Sequence, residues 1–281
     1  MELQWYPGHM TKARRMMEEN LKLIDLLIEL ADARIPESSR NPDIDALGKG
    51  KGRLLLLNKA DLADLEATKL WENYYKEQGF SVLCIDSRKK NSMNDVRKIV
   101  KVACADKLER NKRKGILNRP LRAMVAGIPN VGKSTFINSF VGKASAKTGN
   151  KPGVTKGKQW IRLGKDLELL DTPGILWPKF EDQEAAFRLA AIGSIRAEIL
   201  QEEELSLKLI GILSKEHSGV LTERYDIDET KPDYEILADI AESRNCLLSG
   251  GRYNMEKAAK ILLDDFRAGR LGRITLELPV L

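Results

Sequence analysis

The sequence has little of what builds covalent or metal-held frameworks. Only three of its 281 residues are cysteine, Cys84, Cys104 and Cys246, and no two stand in C-x-x-C spacing. That excludes a disulfide scaffold and a cysteine zinc site, and it points to a reducing compartment. Histidine occurs only twice, at His9 and His217. No run of about 18 apolar residues is present, so no membrane span is expected. The first ten residues contain no apolar stretch of the kind that marks a secretory signal. A cytoplasmic protein with no membrane partner is therefore expected. There is no internal repeat and no low-complexity tract. What remains is an ordinary soluble composition, 42% hydrophobic and 31% charged. The chain is long enough for one medium domain and a smaller one.

Charge is unevenly spread. Residues 1–178 hold 33 basic and 21 acidic side chains, whereas residues 179–281 hold 14 and 20. The step predicts two domains, 1–178 and 179–281. A basic first part suits a polyanionic partner, because Lys and Arg near phosphates release condensed counterions. A plain solvated surface explains the same charge.

From residue 10 to residue 170 the hydrophobic pattern alternates between helix and buried strand. Helices are expected over 10–23, 63–78 (with Gly79 as the stop), 93–114 and from Lys133. Strands are expected over 24–33, 53–57, 81–85, 121–126, 160–163 and 167–170. Such alternation predicts an α/β fold with a doubly wound, mostly parallel sheet, whose ligands bind beyond the carboxyl ends of the strands. After Pro178 the strand pattern stops. Apolar residues at helical spacing over 184–200, 205–215, 234–242 and 255–268 predict an all-α C-terminal domain.

Three motifs follow buried strands. Gly127-Ile-Pro-Asn-Val-Gly132-Lys133-Ser134 is G-x-x-x-x-G-K-S between a strand and a helix, the P-loop context. Its backbone N–H groups and the helix N-terminus would face phosphate oxygens. Asn130, Val131, Gly132, Lys133, Ser134 and Thr135 would line that cradle, with Lys133 reaching the β- and γ-phosphates and the Ser134 hydroxyl on Mg²⁺. Asp171-Thr-Pro-Gly174 lies 37 residues after Ser134. Asp171 would supply a second Mg²⁺ contact and Gly174 an N–H to the γ-phosphate. Asn58-Lys59-Ala60-Asp61 would hold the base. A carboxylate at Asp61 can accept from N1–H and the exocyclic amine of guanine, a donor pair that adenine lacks. Asp86 and Ser87, after the next strand, would close over guanine. Thr155, between the P-loop and Asp171, would bind Mg²⁺ and sense the γ-phosphate, in a segment expected to be ordered by GTP.

These motifs run in a permuted order, with the base-binding motif ahead of the P-loop. Binding needs the loops to converge in space and does not fix their order along the chain. The permuted order resembles the circularly permuted GTPases of the ribosome biogenesis GTPase A (RbgA/YlqF) family, as do Trp5-Tyr-Pro-Gly-His9-Met10, Asp32-Ala-Arg-Ile-Pro36, Gly174-Ile-Leu-Trp-Pro-Lys-Phe180 and Cys246-Leu-Leu-Ser-Gly-Gly251. The resemblance covers nearly the whole chain. It implies a GTPase that drives assembly of the large (50S) ribosomal subunit, with a helical C-terminal domain touching its rRNA.

No glutamine follows Gly174, where Ile175 and Leu176 stand, so another group must orient the attacking water or hydrolysis is slow alone. The resemblance favours His9 in that catalytic role beside Lys133; a helix cap or an RNA contact is the alternative. His217 reads as a helix-end residue. An asparagine at position 130 holds K⁺ in potassium-dependent GTPases, which makes K⁺ a second candidate cofactor beside Mg²⁺. Arg244–Arg273 carries seven basic and three acidic side chains. Lys257, Lys260, Arg267, Arg270 and Arg273 fall partly on one helical face, a candidate rRNA contact. The partners expected are GTP and GDP, the large ribosomal subunit and its rRNA, with the protein itself a monomer. A second reading keeps the fold and changes the target, to a GTPase serving tRNA modification or another RNA enzyme; a third, of a different class, is a nucleotide-sensing scaffold whose turnover is incidental. ATP use is a minor rival to all three.

Overall fold

The computed structural model describes residues 15, 17–48, 50–116, 119–142, 159–163, 165–172, 182–195 and 202–280, of which 43, 46, 47 and 159 are described in backbone only. Contacts divide the chain into two units, Met1–Glu181 with Glu277–Leu281, and Asp182–Leu276.

The first unit is built on six strands: β1 (Leu26–Asp32), β2 (Gly52–Asn58), β3 (Ser81–Ile85), β4 (Leu121–Gly127), β5 (Gln159–Leu163) and β6 (Leu167–Asp171). They form one sheet in the order β3-β2-β1-β4-β6-β5. All neighbours run parallel except the edge pair β5 and β6, which is antiparallel. β1 is buried along its whole length, as its Leu-Leu-Ile-Glu-Leu-Ala sequence requires of a central parallel strand. The helices of this unit are α1 (described at 15 and 17–21), α2 (Pro42–Leu47), α3 (Leu65–Glu77), α4 (Lys90–Ala103), α5 (Ala105–Arg113) and α6 (Lys133–Val141). One apolar cluster joins Met17, Ile24, Leu27, Met124 and Leu170. Another joins Ala31, Leu55, Leu57, Trp71, Tyr75 and Val82. α3 starts where the Asp64 side chain accepts the Ala67 N–H, and Gly79 follows its end at φ 84°, the left-handed conformation that glycine tolerates best.

The single helix expected over 93–114 is two. The buried stripe Met93, Val96 and Val100 continues to Cys104 and then ends, and the helix breaks there. α5 buries none of its residues.

The second unit is helical among its described residues, apart from an isolated bridge between Leu247 and Tyr253. It contains α7 (Gln183–Ala191), α8 (Glu202–Glu216), α9 (Val220–Tyr225), α10 (Asp233–Ser243) and α11 (Met255–Arg267). α8 and α11 pack together with α10, and their buried faces hold Leu205, Leu209, Leu213, Leu262, Leu263 and Phe266. The short α9 was not expected. Glu229 supports its start by accepting the N–H groups of Gly219, Leu221 and Thr222, a cap supplied from outside the local pattern. Two of the basic residues assigned to an rRNA face also make contacts within the fold. Arg267 donates to the carbonyls of Ala190 and Ala191 at the end of α7, and Arg270 pairs with the buried Asp265. Lys257, Lys260, Arg270 and Arg273 are exposed.

Residues 277–281 group with the first unit, although the sequence assigned them to the helical region. The Glu277 carboxylate accepts the N–H groups of Glu37 at 2.6 Å and Ser38 at 2.9 Å as well as the Ser38 hydroxyl. Trp71 Nε1 donates to the Glu277 carbonyl at 2.9 Å.

Candidate nucleotide site

The P-loop residues connect β4 to α6. Gly127 has φ 148°, and a Cβ there would stand 2.6 Å from the Leu30 carbonyl oxygen; β1 passes too close for any side chain. Asn130 has φ 59°. Gly132 has φ 100°, and a Cβ on it would run into the Asn58 amide. α6 begins directly after, with no side-chain cap and no acidic residue in its first turn. Its first N–H groups and its positive dipole end are therefore left for an anion. Ser134 and Thr135 lie in that turn, and Val131 is buried beneath the loop. Lys133 is buried, and its ammonium donates to the carbonyls of Gly127 at 3.0 Å and Ile128 at 2.7 Å. Burial pushes this lysine down to about 8, with Asp171 opposing the shift.

Asp171 ends β6 opposite Val125 of β4. The neighbouring Thr172 hydroxyl donates to the Val125 carbonyl at 2.7 Å and ties the strand end in place. The Asp171 carboxyl is pushed up to about 6 by burial, against the pull of Lys133. Its Oδ1 is buried and has no hydrogen-bond partner among the described residues. A buried acceptor without a donor costs free energy. A hard divalent cation would satisfy it, and the oxygen donors of Asp171 and Ser134 are the type that Mg²⁺ takes. The residues present therefore fit the metal. His9, Thr155 and Gly174 lie outside the described residues.

The base-binding residues gather at the carboxyl ends of β2 and β3. Asn58 joins three loops with one side chain. Its amide donates to the Val131 carbonyl at 2.7 Å, and its oxygen accepts the Ser87 N–H at 3.1 Å and the Ser87 hydroxyl at 2.7 Å. The Ala60 N–H reaches the Ile85 carbonyl at 3.1 Å. Lys59, at φ 59°, donates to the Asn130 carbonyl at 3.0 Å and to Asp32 at 2.8 Å. Asp86 accepts the Arg88 N–H and Nε, both at 2.9 Å. Burial raises the Asp86 carboxyl, but the bonds from Arg88 outweigh it and hold the group below its usual range. Asp61 Oδ2 accepts from Arg88 Nη2 at 2.6 Å, and its Oδ1 is buried without a partner among the described residues.

The base motif, the Asp86 loop and the P-loop thus meet at one end of the sheet, as a permuted site requires. Reading the motifs one by one missed what supports them. Asp32 stands at the end of β1, fully buried, and binds Arg34 through both oxygens at 2.9 and 2.8 Å while holding Lys59. In the sequence Asp32 and Arg34 stand only within the run Asp-Ala-Arg-Ile-Pro, which carries no local sign of this role. Arg88 carried no signal beyond following Asp86-Ser87.

Comparison with known proteins gives a consistent result. Residues 122–235 match a family described as "50S ribosome-binding GTPase"; the match begins at the P-loop strand, downstream of the base motif. The chain is 47% identical to a Bacillus cereus protein named ribosome biogenesis GTPase A, over 99% of this chain and 95% of that one. It is 30% identical to the protein of that name in Thermotoga maritima, over 99% and 95%. A crystal structure of GNP-bound YlqF from T. maritima superposes with a TM-score of 0.69 at 27% identity, covering 95% of this chain and 98% of that one.

Proposed function

This chain belongs to the ribosome biogenesis GTPase A family, a GTPase of ribosome biogenesis, and on that premise we propose that it is a GTP-dependent assembly factor for the large (50S) subunit, released when GTP is hydrolysed. The observation that supports this most is connectivity. Asp171 ends the strand beside the P-loop, and eleven residues later the chain enters the helical unit at Asp182. A change at the γ-phosphate would have only that short stretch of chain to cross to reach the unit that would touch rRNA through exposed side chains such as Lys257, Lys260 and Arg273.

In this reading Asp61 accepts the guanine edge, Asn58 and Ser87 hold the walls of the base pocket, and the α6 N-terminus and Lys133 bind the phosphates. Mg²⁺ would be held by Ser134, Thr155 and Asp171 and would neutralise charge on the phosphate oxygens. His9 orients the attacking water, in place of the absent glutamine. Asn130 would hold K⁺ beside the phosphates. The protein acts as a cytoplasmic monomer, slow alone and stimulated by the particle; no helix among the described residues is long and apolar enough to cross a membrane.

Cosedimentation with purified large subunits tests this, in a non-hydrolysable GTP analogue and in GDP, at one salt concentration. Binding in the analogue and loss in GDP is expected. Equal binding in both states removes the release step, and no binding in either moves the target to another RNA. Turnover with the subunits in K⁺ and in Na⁺ completes the series, and equal rates in the two salts end the role given to Asn130.

A further inference from the structure

We propose that Arg88 occupies the seat of the guanine edge on Asp61, so that every incoming base must displace it and Arg88 sets the affinity of the site. The proposal rests on the reading of Asp61 as the guanine acceptor. The N1–C2–N2 fragment of guanine is itself a guanidine: two parallel N–H donors on one planar unit. An arginine head offers the same pattern. Asp61 has one oxygen bound to Arg88 Nη2 at 2.6 Å and the other buried without a donor among the described residues. Guanine would use both oxygens, so the two guanidine groups compete for one carboxylate.

Arg88 is held ready for this position. Its N–H and Nε bind Asp86 Oδ1, and its Nη2 reaches Asp86 Oδ2 at 3.1 Å. It can release Asp61 and remain on Asp86, losing one contact. The loop need not move with it, because Asn58 pins Ser87. The Arg88 side chain is 66% exposed and that of Asp61 only 18%; the arginine is free to swing on the solvent side while the carboxylate stays in place. Arg88 is thus a positioning residue that acts through Asp61. Its occupancy belongs to the protein before binding, so it raises every apparent dissociation constant by one common factor. That factor falls on the association rate and leaves dissociation unchanged.

The test is stopped-flow binding of fluorescently labelled GDP and IDP to the full chain, as wild type, Arg88→Ala and Arg88→Gln. Both variants should associate about 2–5-fold faster, the range of an ion pair of this exposure, with the same factor for GDP and IDP and an unchanged off-rate. Higher salt should narrow the gap. Slower association overturns the proposal, and so does a gain for one base only, which would place Arg88 in contact with bound base. Arg88→Gln carries the test if the alanine variant folds poorly. Asp61→Asn, measured with GDP and xanthosine diphosphate, checks the underlying reading separately. Failure to swap preference there removes Asp61 as acceptor, whatever Arg88 does.

Discussion

Two clusters of buried charge sit at the same end of the same sheet and are treated in opposite ways. At the ends of β1 and β2, Asp32, Arg34 and Lys59 neutralise one another. Burial raises the Asp32 carboxyl, but Arg34 and Lys59 outweigh it and hold the group far below the carboxylate range; burial lowers Lys59 as well, with Asp32 opposing the shift, so it is the carboxylate that separates the two clusters. At the ends of β4 and β6, Lys133 and Asp171 are buried with too little compensation. The lysine falls to about 8 and the carboxyl rises to about 6. The first cluster is closed and serves the fold. The second is held open at a cost to stability, and that cost is what a phosphate and its cation would relieve.

The difference should survive direct attack. Asp32→Ala leaves the Arg34 guanidinium buried with its main partner gone. A loss of about 3–5 kcal/mol is expected, read as a lower denaturation midpoint; a change under 1 kcal/mol would mean that the cluster is not closed. Lys133→Ala should do the reverse: GTP binding and turnover fall at least about 100-fold, while thermal stability holds or rises because a poorly compensated buried charge is gone. Wild-type GTP affinity in that variant would remove the P-loop assignment.

Asp171→Asn gives the smallest shift and the sharpest one. A carboxyl raised from 3.8 to about 6 costs stability while ionised. That cost is present above pH 6 and fades as the pH falls from 6 towards 3.8. The asparagine variant should therefore be about 1–2 kcal/mol more stable than wild type at pH 7.5, less any support that Lys133 loses, and no more stable near pH 4. Urea melts at the two pH values decide it, and an equal gain at both would show that the effect is not ionisation.

The nucleotide motifs were legible because each is a short run after a strand. Gly132-Lys133-Ser134, Asp171 and Asn58-Lys59-Ala60-Asp61 announce their chemistry locally. The closed cluster was not legible, because its meaning depends on sheet order. Asp32 meets Lys59 only because β1 pairs with β2 from Leu26↔Gly52 to Asp32↔Asn58, and nothing local to either strand states that register. The same holds for Glu29, a charge in the middle of the central strand. Burial raises its carboxyl, and Arg40 and Arg53 reach it from elsewhere in the chain at 3.1 and 3.3 Å. Apolar periodicity located the main helices of the second unit, but it could not show that Arg267 reaches the end of α7 or that Arg270 pairs with Asp265, since helical spacing gives a side chain's face and not its partner.

The hold of Glu277 on Glu37 and Ser38 spans 240 residues of sequence. A chain emerging from its own synthesis makes residue 277 only after the whole helical unit. The loop that follows β1 must therefore wait, with the Glu37 and Ser38 N–H groups uncapped by Glu277, until the helical unit has been made. The nucleotide unit is begun early and closed late, and a nascent chain stalled within the helical unit would carry the P-loop complete and the β1 loop unfastened.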